Sequence, residues 1–196
     1  ATHMVGPRSF GESDYPGMLV CRYDCPSALM EGHTPPYYLA MAEKAGWTEG
    51  SDTLAYRWET RNAGEHLELL PAKLRHVAER VARNPRCALR PARLSEFDRD
   101  LRLVLRIYNR SLGTLPGFTP MEEDELRRLA DGLRPILDEE LVWFAMGDGQ
   151  EVGFSLAVPN AAEAFHKCGG LRYPWQYLQF ALAMRRIRSV SFKILA

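Results

Sequence analysis

The spacing of apolar and polar positions divides this chain into short segments whose periods predict their structure. In residues 53–58, Leu54, Tyr56 and Trp58 fall on one side of an extended chain, with Ala55 and Arg57 on the other, which predicts a strand. Residues 17–23, a short apolar run, read the same way, as do 87–91 and 189–195. Leu74, Val77, Ala78 and Val81 recur at helical spacing behind Pro71, and Asn84-Pro85 closes that helix. Phe97, Leu101, Val104, Leu105 and Tyr108 form a longer stripe, predicting a helix capped by Ser95. Further helices are expected over residues 36–45, 120–133, 161–167 and 174–186. The apolar runs 141–146 and 152–158 flank Asp148-Gly149, a pair that predicts a tight hairpin.

Local chemistry sharpens several boundaries. Pro35-Pro36 suits a first helical turn, because proline fixes φ where no N–H is needed. Gly46 then supplies a C-cap, with Trp47 placed for the hydrophobic contact of a Schellman ending. Acidic residues 122–125 complement the positive end of a helix dipole. Gly64 and its polar neighbours in 62–68 mark the best linker. Together these elements predict an α/β (α+β) chain with a mixed, mostly antiparallel sheet flanked by helices.

Composition limits the function classes. Hydrophobic residues are 46% of the 196 and charged residues 26%, an ordinary globular balance. Lys plus Arg equals Asp plus Glu at 25 each, so no bulk charge draws nucleic acid, and none is expected as a partner. Arg185, Arg186 and Arg188 read as a solvated helix end. No apolar run approaches the roughly 18 residues of a membrane span, and no signal-peptide core follows Met4. A cytoplasmic protein with no membrane partner is therefore expected, with Ala1-Thr2-His3 an expression scar before a native start at Met4.

The four cysteines, Cys21, Cys25, Cys87 and Cys168, lack a second pair at zinc spacing, and the five histidines show no ligating pattern. They read as reduced thiols and scattered imidazoles, and no metal is expected. His33, in a Gly- and Pro-flanked loop, is a candidate base, though a lone loop histidine is more often solvated. Glu122 to Glu125 could receive an amine, against the plainer dipole reading. Tyr37 and Tyr38 read as packing residues at a helix start, and the aromatic residues of 143–180 as core and pocket lining.

Several motifs carry a family resemblance. Ile107-Tyr108-Asn109, Gly117-Phe118-Thr119-Pro120 and Pro135-Ile136-Leu137-Asp138 stand in order before the hairpin of residues 141–158. Pro35-Pro36-Tyr37-Tyr38, Gly46-Trp47 and Asp52-Thr53-Leu54-Ala55-Tyr56 stand in the first part. Over about residues 15–196 the chain resembles tandem GNAT-like proteins of the acyltransferase superfamily. The resemblance implies that 15–60 is the closing part of one GNAT-like domain, 61–86 a linker and helix, and 87–196 the opening part of a second. Residues 1–14 are the scar and an N-terminal segment. The fold would then be incomplete, or permuted into one sheet with residues 189–195 beside 17–23, within one chain or in a homodimer formed by strand exchange.

The resemblance also implies an acyl-CoA, such as acetyl-CoA, lying against the backbone of Ile194 and Leu195. The superfamily's phosphate-binding run, Arg/Gln-x-x-Gly-x-Gly/Ala, is nowhere in the sequence, and the strand expected to precede it is followed by Ala196. Its tyrosine general acid would fall four residues before Gly46, where Ala42 stands, and Thr34 replaces an asparagine common before Pro35-Pro36. No bound cofactor is therefore expected, and the catalytic residues stay unassigned. The implied function is a degenerate or truncated acyl-CoA-dependent N-acyltransferase, inactive as given. The alternative is a non-catalytic binding or assembly module on the same sheet.

Overall fold

The computed structural model describes residues 4–7, 17–60, 68–115 and 118–196. The expected scar at 1–3, most of the linker at 62–68 with Gly64, and Gly117 lie outside the described residues. In chain order the elements are α1 (Tyr37–Lys44), α2 (Ala72–Ala82), β1 (Cys87–Pro91), α3 (Phe97–Leu112), α4 (Glu123–Leu133), β2 (Val142–Gly147), β3 (Gln150–Pro159), α5 (Ala162–Cys168), α6 (Pro174–Met184) and β4 (Val190–Leu195). The four strands form one sheet in the order β1-β2-β3-β4, every pair antiparallel. The protein is an α+β chain, as its periodicities predict.

The β2–β3 hairpin forms at Asp148-Gly149, where both residues take positive φ (49° and 79°), the pairing a type I′ turn needs. One face of the sheet packs on α3. Phe144 and Phe154 are buried there with Ile107, and Leu156, Ile194 and Ala196 close around them. A second cluster, Leu101, Leu126 and Ala130, joins α3 to α4. Leu101, Leu126 and Ala130 lie on helical stripes of 3.6-residue spacing, whereas Phe144 and Phe154 face each other on paired strands.

A partly buried ion network centred on Asp100 locks β1 to α3. Arg90 grips Asp100 with two hydrogen bonds, 2.8 and 3.2 Å long, reaches Glu151 at 3.1 Å, and lies 4.2 Å above the Phe144 ring. Asp100 also accepts from the Arg93 backbone N–H at 3.0 Å. Burial pushes the Glu151 carboxyl up, but its own backbone N–H, Arg90 and Arg99 together hold it below the usual range.

Several expectations are corrected. Residues 17–23 are not a strand: Arg22 takes φ +60°, Cys25 N–H closes a turn on Arg22 C=O, and the Tyr23 hydroxyl donates back to Leu19 C=O. Residues 53–58 alternate as read, yet Leu54, Tyr56 and Trp58 stand exposed with no strand alongside among the described residues. An alternating run is a strand only when a neighbour completes its ladder. Ser95 makes no cap bond and sits in a 3-10 turn, Leu94–Glu96, so α3 begins at Phe97. The helix expected from Pro120 begins at Glu123. The helix behind Pro71 forms, but it buries no residue, and its expected apolar stripe leaves Leu74, Val77 and Val81 exposed.

Candidate functional site: the free edge of the last strand

The expected cofactor-contacting residues, Ile194 and Leu195, lie on β4, at the end of the sheet order. Antiparallel pairing gives the two different roles. Ala196 exchanges both backbone hydrogen bonds with Phe154, at 2.7 and 3.0 Å. By alternation the next pair, Leu195 with Ser155, is non-hydrogen-bonded, and Ile194 with Leu156 is bonded again. The backbone groups of Ile194 are therefore committed to β3, and its side chain packs into the α3-facing core. Those of Leu195 point away from the sheet, and its side chain is 73% exposed. An extended ligand laid along β4 would meet Leu195 and not Ile194.

Two features shape this edge. The β3–β4 register shifts between Leu156 and Ala157, where Ile194 and Phe192 are successive partners, so Lys193 is the extra residue of a bulge. Gly153 lets β3 and the residue after β4 approach closely, since a Cβ there would lie 2.8 Å from Ala196 carbonyl oxygen. The bulged Lys193 reaches Glu31 at 3.4 Å. Nearby, Asn160 donates its backbone N–H to Ser189 C=O at 3.0 Å and its side-chain amide to Ser189 Oγ at 3.2 Å, while its side-chain oxygen accepts from Leu29 N–H at 3.0 Å. Segment 17–60 thus meets the β4 region through a loop, in place of the pairing of 17–23 with 189–195 expected within one chain. Nothing in the sequence marks Glu31 or Asn160; their partners lie 162 and 131 residues away.

Among the described residues, no contact brings the other candidates to this edge. His33 is exposed, its Nε2 3.3 Å from Tyr23 C=O. Tyr37 and Tyr38 meet edge to face at 5.0 Å on an exposed helix start. Glu123 pairs with Arg127 across one helical turn at 3.8 Å. The cysteines are free thiols, and no group of three potential metal ligands occurs among the described residues.

The motif residues act as structural pins. Asn109 clamps Met121 through two hydrogen bonds, at 2.9 and 3.0 Å, closing the α3–α4 loop. Phe118 packs against Tyr108 with ring centres 5.6 Å apart. Asp138 caps the turn into β2 by accepting from Glu140 N–H. Gly46 and Trp47 form the Schellman ending, with N–H bonds to Glu43 and Ala42 carbonyls at 3.0 and 3.1 Å.

An acyl-CoA asks two things of such an edge: a free backbone for its extended arm and a cradle of N–H groups for its phosphates. Leu195 offers the first. Gly169 and Gly170 do not offer the second, because both N–H groups are bonded to Phe165 C=O at the end of α5. Among the described residues, the Gly169-Gly170 pair therefore supplies no phosphate cradle to go with the Leu195 backbone.

The fold defines an α+β unit with an open antiparallel sheet, a face packed on α3, and edge strands β1 and β4. Over 196 residues the chain is 29% identical to a protein named bacterial ceramide synthase, from Caulobacter vibrioides, covering 99% of this chain and 49% of that protein. It is also 25% identical over 197 residues to Protein YghO of Escherichia coli, covering 100% of this chain and 49% of that protein. The chain thus spans about half the length of these curated relatives. No protein-family model matches it. No solved structure matches it either.

Proposed function

We propose that this chain is the sheet-bearing part of a GNAT-like N-acyltransferase, of the kind that joins an acyl group to the amine of a long-chain base. On this reading the 196 residues bind acyl-CoA weakly and do not turn it over alone. The likeness to the protein named ceramide synthase supports the reaction class. The observation that carries the reading is the β4 edge, where Leu195 turns its N–H and C=O away from β3 beside a bulge and no strand pairs with them among the described residues. Weak binding follows from the missing phosphate cradle. Absent turnover follows because an unanchored reactant forfeits positional advantage, and Ala42 stands where the superfamily would place its acid.

The test is a thermal-shift titration of the chain with acyl-CoA, paired with an assay for amide formation on long-chain amines. A saturable stabilisation with no turnover is expected. Leu195→Pro removes only an outward N–H on an edge strand, so it should abolish the shift while leaving the unliganded midpoint in place. Steady turnover by these residues would refute the inactive reading. No shift at any attainable concentration would favour a non-catalytic assembly module instead.

A further inference from the structure

The charge balance of the whole chain conceals a strong local asymmetry. Residues 161–196 carry Lys167, Arg172, Arg185, Arg186, Arg188 and Lys193 against one acidic side chain, Glu163. Helix α6 sits within this segment and is apolar on its outward side as well as on its inward one. Its inward side holds Gln176, Phe180 and Ala183: Phe180 meets Phe165 of α5 at 4.6 Å, Gln176 bonds Cys168 C=O, and Ala183 is buried. The outward side, at positions i, i+3 and i+7, is Trp175, Leu178 and Leu182, which are 58%, 66% and 54% exposed. Tyr173 stacks on Trp175 at 4.6 Å and extends that face.

Both ends of the apolar stripe are basic. Arg172 precedes it, and Arg185 and Arg186 continue its outward direction one turn beyond Leu182; all three are exposed. No acidic residue lies on α6 or its immediate flanks. The excursion is clasped at its base, where Glu163 accepts from Ser189 Oγ and from Arg188 N–H, and Asn160 holds Ser189. The stripe is therefore carried on an anchored hairpin of two helices.

We propose that α6 docks on an anionic lipid bilayer, lying in its surface with Trp175, Leu178 and Leu182 among the acyl chains and the arginines at the headgroups. An interfacial helix needs an apolar face with Trp or Leu, basic flanks and no spanning length. No described helix is long and apolar enough to cross a membrane, and α6, at about 16 Å, suits lying flat. The sequence lacks a membrane span and a signal-peptide core, and neither lack bears on a surface contact of this kind. Tryptophan and tyrosine favour the headgroup level for the same amphipathic reason. The proposal does not depend on acyl transfer.

The test is co-sedimentation of the 196-residue chain with phosphatidylcholine vesicles with and without phosphatidylglycerol. Binding is expected only to the anionic vesicles and should weaken as salt shortens the screening length. A cation near such a surface strengthens binding about fivefold, so Arg185→Gln with Arg186→Gln should weaken it about thirtyfold. Leu178→Glu with Leu182→Glu, both at exposed positions, should release the chain without changing its melting temperature. Failure to bind anionic vesicles, or binding that survives the two glutamates, overturns the proposal. So does a dimer in light scattering, or capture of a single-stranded oligonucleotide, that those glutamates abolish, since either assigns the face to another occupant.

Discussion

Asp100 is where strand β1 is tied to helix α3, and its replacement by alanine has a cost that can be worked from its contacts. The change deletes two charge-assisted bonds from Arg90 and leaves the Arg93 N–H without its acceptor. Asp100 is only 6% exposed, so water does not readily replace it. Removing one partner of a buried pair costs about 3–5 kcal/mol. Glu151 still holds Arg90 at 3.1 Å, which places the loss near the lower end, at about 3 kcal/mol. Asp100→Asn keeps an oxygen for Arg93 N–H and should cost about 1–2 kcal/mol. With a urea m-value of about 2 kcal/mol/M, alanine should lower the unfolding midpoint by about 1.5 M at unchanged m. Equilibrium urea unfolding followed by circular dichroism measures this directly. Equal losses for alanine and asparagine would mean the Arg93 bond contributes nothing. A shift below about 0.5 M for alanine would refute a buried, stabilising network.

Gly153→Ala would place a methyl group against Ala196 carbonyl oxygen, so the end of the β3–β4 ladder should open. Faster hydrogen exchange at Phe154 and Ala196 amides, with little change in β1–β2, is the expected readout. Gly46→Ala forces a side chain into φ +84°, and a loss of about 1 kcal/mol in thermal unfolding is expected, confined to α1. Glu163 is held below the usual carboxylate range chiefly by the Ser189 hydroxyl, burial opposing, with Arg188 N–H and Lys167 assisting. Its proton binds more readily in the unfolded chain, so it contributes stability above the unfolded value of about 4.3 that is lost as pH falls through the folded one. Glu163→Gln should flatten that part of the acid side of a stability–pH profile. An unchanged slope would remove Glu163 from the account.

What the sequence determined by itself is what short-range physics controls. Asp148-Gly149 can take two successive positive φ values at little cost, so the hairpin forms where that pair stands. Gly46 and Trp47 complete a helix ending within a few residues, and the stripes of α3 and α4 need only 3.6-residue spacing to become a core. The resemblance motifs were equally legible, but the structure uses Asn109, Phe118 and Asp138 to pin loops.

Tertiary structure decided the rest. Residues 17–23 and 53–58 have strand-like patterns, but a ladder needs a second chain segment, and none lies beside them among the described residues. The Arg90–Asp100–Glu151 network joins positions up to 61 residues apart, and the Glu31–Lys193 pair spans 162. The edge shows the limit most sharply. Ile194 and Leu195 are both apolar neighbours on a predicted strand, with nothing local to separate them. Pairing with β3 commits the backbone of one and frees the other, because hydrogen-bonding direction alternates along an antiparallel strand and its phase is set by the partner.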